Sequence, residues 1–125
     1  LKIIKKNKIK KFFLLDVEMP FICTNNKKIL NNCAVRFSEY ESIDTIKKFV
    51  NQVGWIWIDT FTKLPIEKSN LSLIKKFKSC LVCPERWGRS NEIKSYIKKF
   101  RVFNYKPNCV MTSLKKAKYW KNFNF

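Results

Sequence analysis

Five short apolar runs recur along this chain every 21 to 30 residues, and helical patterns fill the spaces between them. The runs are FFLLDV at 12–17, CAVRF at 33–37, WIWI at 55–58, CLV at 80–82 and CVM at 109–111. Each has strand length and is nearly continuous in apolar character. Strands of that kind are buried on both faces, which is the mark of parallel sheets rather than of sheets with one wet side. In the stretch 42–53 the apolar residues Ile43, Ile46, Phe49, Val50 and Val53 trace one face of a helix. Ser42 suits the N-cap, and Asp44 lies in the first turn, where the helix dipole favours a negative charge. Ser69 is the expected cap of a shorter helix carrying Leu73, Ile74 and Phe77. Ser90 is the expected cap of a third, with Ile93, Tyr96, Ile97, Phe100 and Phe103 on its stripe. The tail around Trp120 reads as a closing helix with a frayed end, and the basic segment 1–11 is expected to be helical.

Strands alternating with amphipathic helices define βα units and an α/β class. A whole (β/α)8 barrel takes about 250 residues. The repeat is of barrel or doubly wound type, and five strands in 125 residues look like roughly the second half of a barrel, its C-terminal portion, a single partial domain over 1–125.

The formal charge of +18 raises nucleic acid or an anionic lipid as partner. Composition offers another origin: Lys, Asn, Ile and Phe, which an AT-rich coding sequence over-supplies, make up almost half of the chain. Only four of the basic residues are Arg, the type suited to bidentate phosphate contacts. The Lys pairs at 47–48, 75–76 and 98–99 fall off the apolar stripes, so most of the charge reads as the wet outer face of helices. No apolar run approaches the roughly 20 residues of a membrane-spanning helix. No signal-peptide core follows the basic start, and five irregularly spaced Cys do not form a secreted disulfide framework. A cytoplasmic, reduced protein is expected.

Cys80 and Cys83 form a C-x-x-C, a spacing that suggests a metal or redox pair. On a strand the two would point to opposite faces with Cα atoms about 10 Å apart, beyond the reach of a disulfide. Two opposed thiolates cannot share one zinc, and the chain has no His to complete a tetrahedron. Both are expected to be small core residues, with no zinc between them.

In parallel α/β folds ligands bind beyond the carboxyl ends of the strands. Those ends carry Asp16 and Glu18, then Arg36 with Ser38 and Glu39, then Asp59, then Glu85 with Arg86, and finally Thr112. Convergence on one rim would combine carboxylates with an Arg, a set suited to a divalent cation and an anionic phosphate ester. Each acid taken singly could equally be a helix cap or the partner of a nearby Lys. Trp55, Trp57 and Trp87 read as core or rim packing.

The stretches FFLLDVEMP (12–20), VRFSEYE (35–41), WIWIDTF (55–61), CLVCPE (80–85) and CVMT (109–112), with Trp120 downstream, resemble a known family. It is the second half of the glycerophosphodiester phosphodiesterase and phosphatidylinositol-specific phospholipase C-like TIM barrels, particularly bacterial members linked to sugar and surface-polysaccharide gene sets. The resemblance covers about residues 12–120. In such relatives a Ser is expected where Cys83 stands.

The resemblance implies metal-assisted cleavage of a phosphodiester, with Ca²⁺ or Mg²⁺ held by acidic residues. It makes Glu39, Asp59 and Glu85 the candidate catalytic acids, Arg36 a phosphate contact, and Asp16 and Glu39 the candidate metal ligands. The family's acid–base histidines come from early strands, and this chain has none. A truncated domain without appreciable hydrolysis by itself is therefore expected, its substrate a phosphodiester small molecule or lipid-derived compound once completed. Pairing with a missing N-terminal half is a further expectation. The competing reading is a non-catalytic basic module for nucleic acid or anionic lipid, with nucleic acid the less favoured.

Overall fold

The computed structural model describes residues 2–121 and 123. Helices α1 (Lys2–Lys6), α2 (Met19–Thr24) and α3 (Lys27–Leu30) lead into strand β1 (Ala34–Phe37). Then follow α4 (Ile43–Lys48), β2 (Trp55–Ile58), α5 (Leu71–Ile74) and β3 (Lys78–Val82). Two 3₁₀ turns, Pro84–Trp87 and Ser90–Glu92, precede α6 (Ile93–Val102), β4 (Cys109–Met111) and α7 (Leu114–Lys121). The four strands form one sheet in the order β1-β2-β3-β4, and every pairing is parallel. The fold is thus α/β with a parallel sheet, as the near-continuous apolar runs predict.

The register separates the two faces. Val35, Phe37, Ile56, Ile58 and Leu81 point to one side and join Ile46 of α4, Leu73 and Ile74 of α5, and Tyr96 and Phe100 of α6 in a single core cluster. Trp120 of α7 packs on the same cluster. Ile56, Ile58, Leu81 and Phe100 are 0 % exposed, and each such burial contributes about 1.5–3 kcal/mol. Consecutive parallel strands joined by right-handed crossovers put their helices on the same side. The other side carries Ala34, Arg36, Trp55, Trp57, Cys80 and Val82, none of which belongs to that cluster.

The strand expected at 12–17 is reduced to one parallel bridge, Leu14 to Cys33. The Leu14 N–H donates to the Asn32 carbonyl at 2.7 Å, and the Ala34 N–H donates to the Leu14 carbonyl at 2.8 Å. Asp16 then adopts φ 55, a left-handed conformation that turns the chain out of the sheet plane. Phe13 stacks on Trp55, ring centroids 5.0 Å apart, and pins this edge segment to the sheet face that carries Trp55 and Trp57.

Ser42 caps α4 as expected, its Oγ accepting the Asp44 N–H at 3.2 Å. The helix ends at Lys48, short of residue 53. Asn51 takes φ 64 and the chain continues in turns that still bury Phe49 and Val53. Ser69 is not a cap. Asn70 holds that place, and its side chain instead accepts from the Glu67 N–H and donates to the Pro65 carbonyl, folding the preceding loop. Ser90 lies in a 3₁₀ turn, and α6 starts three residues later. Its expected stripe does face the core: Ile93, Tyr96 and Phe100 are buried, and Ile97 and Phe103 pack against it. The basic segment 1–11 is helical only over Lys2–Lys6, and Leu1 lies outside the described residues. So do residues 122, 124 and 125 of the expected frayed end. The Lys pairs at 47–48, 75–76 and 98–99 are all exposed. Among the described residues no helix is long and apolar enough to cross a membrane.

Candidate functional site at the strand ends

Arg36 stands one residue before the end of β1, Asp59 directly follows β2, Glu85 lies in the 3₁₀ turn after β3, and Thr112 directly follows β4. Because the strands are parallel, all four lie at the same end of the sheet. The centre of this rim is Asp59, only 3 % exposed. Its Oδ2 accepts from Arg36 Nη1 at 2.8 Å and from Trp57 Nε1 at 3.3 Å. Its Oδ1 accepts from Trp87 Nε1 at 3.1 Å and from the Thr60 N–H at 2.9 Å. A buried carboxylate is costly unless paired and hydrogen-bonded, and here four donors, two from strands β1 and β2 and two from the loops after β2 and β3, meet that need.

Arg36 reaches two carboxylates. Its Nη2 donates to both oxygens of Asp16, at 3.0 and 2.9 Å. The two contacts differ in character: the Asp16 side chain is 64 % exposed, that of Asp59 is 4 % exposed, and Arg36 lies between them at 30 %. The Asp59 contact fixes the guanidinium. The Asp16 contact is solvated and exchangeable.

Glu39 and Glu85 are loop ties. Glu39 Oε1 accepts from Thr62 N–H at 2.8 Å and from Thr62 Oγ1 at 2.6 Å, joining the loops after β1 and β2. Burial pushes its carboxyl up, but the Thr62 contacts, its own backbone N–H and nearby Lys63 outweigh this and leave it below the usual range. Its Oε2 is buried without a hydrogen-bond partner. Glu85 Oε1 accepts from the Ser113 N–H at 2.7 Å and from Thr112 Oγ1 at 3.2 Å, joining the ends of β3 and β4. Burial again raises its carboxyl, while Ser113, Thr112 and Arg86 lower it further, so the net direction is down.

The expected rim residues are therefore at one end, but in two groups. Arg36 contacts both Asp16 and Asp59, whereas Glu39 and Glu85 each serve a separate loop. Of the two candidate metal ligands, Asp16 is bound to Arg36 and Glu39 to Thr62. No three His, Cys, Asp or Glu side chains come together among the described residues.

Sequence reasoning missed Arg89, which donates to the carbonyls of Phe61 and Thr60, both at 2.6 Å, and clamps the loop after β2. Arg scarcity was the available signal, since two of the four Arg hold this rim. It also missed an aromatic ridge beside the rim, in which Phe61 packs between Tyr40 and Trp87 at centroid distances of 5.9 and 4.6 Å. Tyr40 is 74 % exposed and Trp87 43 %.

Cys80 and Cys83 lie on β3 and just beyond it, both buried free thiols. The neighbour of Cys80 is not Cys83 but Cys109, its register partner on β4. A hydrogen bond to Cys109 and burial together raise the Cys80 thiol, and Cys109, as acceptor, is lowered.

The chain matches no protein-family model, no curated protein and no solved structure.

Proposed function

We propose that this chain supplies the closing part of a (β/α)8-type phosphodiester site, of the glycerophosphodiester phosphodiesterase-like kind that its sequence resembles. The observation that carries the reading is Arg36, held between exposed Asp16 and buried Asp59 at the carboxyl ends of parallel strands. Barrels wind all their helices onto one side of the sheet, whereas doubly wound sheets place them on both. The strand order and the one-sided core fit the barrel pattern. Barrel closure requires further βα units. These would cover the side carrying Trp55 and Trp57 and pair with the open edges at Leu14 and β4, which is the missing half acting as partner.

In this reading a phosphodiester anion displaces Asp16 from Arg36 Nη2 and takes the same two-point geometry. Asp59 is a positioning residue that holds the guanidinium in place. Glu39 and Glu85 set the loops, and the ridge of Tyr40, Phe61 and Trp87 offers an apolar wall for the rest of the ligand. The Ca²⁺ or Mg²⁺ that the resemblance implies does not find a protein-built cage here. The two acids expected to hold it, Asp16 and Glu39, are engaged by Arg36 and Thr62, and of their four oxygens Glu39 Oε2 is the one buried without a hydrogen-bond partner. No step is therefore routed through a cation. With no His in the chain, a proton-transfer pair of the family's type is not at hand, and no appreciable hydrolysis is expected of this chain alone.

The test is a titration of ¹⁵N-labelled chain with glycerophosphocholine. The Trp57 and Trp87 indole N–H signals and the Arg36 Nε–H are expected to shift together, and Arg36→Met is expected to abolish the effect. Absence of any rim shift at millimolar ligand would refute the site. Metal-dependent hydrolysis of bis(4-nitrophenyl) phosphate by this chain, abolished by Glu39→Gln, would refute its inactivity in isolation.

A further inference from the structure

A groove of about 610 Å³ lies away from the rim, between α1, the segment 8–14 and α3. Its floor is apolar: Ile4, Ile9, Phe12, Leu14 and Ile29. Its border is cationic: Lys5, Lys8, Lys10 and Lys28. No acidic residue lines it, and none of the four Lys has an ion-pair partner among the described residues. Ile9 is 46 % exposed and Ile3, on α1, 73 %. The volume falls in the range of small-ligand sites, about 300–1,000 Å³.

We infer that this groove binds a single-chain anionic amphiphile, a hydrocarbon tail carrying a carboxylate or phosphate head. Charge complementarity and the apolar floor select that class together. A hydrophilic polyanion would leave Ile4, Ile9 and Ile29 in water, and a neutral lipid would leave four ammonium groups without a counter-charge. A tail on the isoleucines places the head at the lysine border, where the compact, mobile ammonium groups act as point charges. The segment holding Phe12 and Leu14 is anchored beside β1 through the Leu14–Cys33 bridge, so this part of the floor is held in place by the sheet. The groove shares no residue with the rim, so it stands or falls independently of the phosphodiester reading.

The experiment uses the whole chain and four probes below their micellar concentrations, followed by calorimetry and amide shift mapping. Dodecyl phosphate and dodecanoate are expected to bind and to shift Leu14, Ile29 and Ile9. Dodecyl maltoside and inorganic phosphate are expected to bind at least tenfold more weakly. Lys8→Gln and Lys28→Gln, both at exposed positions, are each expected to weaken binding about two- to fivefold. Ile9→Ser is expected to weaken it without unfolding the chain. Phosphatidylglycerol vesicles separate a free amphiphile from a membrane surface. Vesicle binding without binding of the monomeric probes overturns the inference, as do equal affinity for dodecyl maltoside, shifts confined to other surfaces, or no binding.

Discussion

Replacing Asp59 by Ala removes the acceptor on which the rim is built, and its cost can be worked from the geometry. The change leaves the Thr60 N–H and the Trp57 and Trp87 indoles without their partner, and Arg36 with Asp16 alone. A neutral hydrogen bond contributes about 1 kcal/mol net, and one to a charged group about 1.5–3 kcal/mol. Water can replace the carboxylate at the half-exposed indoles, so these count for less. Breaking a fully buried ion pair costs about 3–5 kcal/mol, but Arg36 is partly solvated and keeps Asp16, which lowers that bound. The expected loss is about 3 kcal/mol for Asp59→Ala, or about 10 °C in Tm for a domain of this size. Asp59→Asn keeps one acceptor but directs an amide N–H at Arg36, and about 2 kcal/mol is expected. Guanidinium unfolding followed by tryptophan fluorescence measures both. A double-mutant cycle with Arg36→Met should give a coupling of about 1–2 kcal/mol. A loss below about 1 kcal/mol for Asp59→Ala, or additivity with Arg36→Met within about 0.5 kcal/mol, would refute the reasoning.

The two glycines should respond unequally. A Cβ at Gly54 would sit 2.1 Å from the Asn31 carbonyl oxygen, so Gly54→Ala is expected to cost about 3 kcal/mol in a denaturant titration. At Gly88 there is open space but φ is +79, so Gly88→Ala should cost only about 1 kcal/mol, and the reverse ranking would contradict the packing. The carboxyls of Glu39 and Glu85 are lower in the folded chain than in the unfolded one. Their stabilisation is therefore present above the ordinary Glu value of about 4.3 and is lost as pH falls through the folded values. The variant Glu39→Gln/Glu85→Gln should show a flatter loss of Tm between about pH 5 and 3, and an unchanged slope would exclude both ties. Among the thiols, Cys23 is exposed, Cys109 half-buried and Cys80 buried with a raised pKa. A thiol-reactive disulfide reagent at pH 8 should label Cys23 first and Cys109 second, with Cys80 unreactive until unfolding. Early labelling of Cys80 would disprove its burial.

Local pattern fails in this chain wherever a longer-range contact competes with it. Residues 12–17 are as apolar as β1, yet only Leu14 forms a bridge, to Cys33 just before β1, because Asp16 turns left-handed and gives its carboxylate to Arg36, twenty residues away. Ser69 and Ser90 have the right chemistry for caps, but the chain enters α5 and α6 one to three residues later, through Asn70 and a 3₁₀ turn. Ser42 succeeds because its contact lies only two residues along the chain.

What the sequence determined by itself is the class of fold and the end of the sheet where polar chemistry gathers. Alternating apolar runs and helical stripes admit few arrangements other than a parallel sheet under helices, and parallel strands bring their carboxyl ends to one rim. Tertiary structure alone decided which of those rim groups meet. Asp59 is a good ligand on paper, but four donors from two strands and two loops converge on it, so it becomes the fixed point that orients Arg36. Glu39 and Glu85, equal to it in sequence, are each bound by a neighbouring loop's Thr and backbone N–H. Whether a carboxylate is a ligand, a tie or an anchor depends on the donors brought within about 3 Å of it, and residues 16, 36, 59 and 87 become neighbours only when the chain has folded.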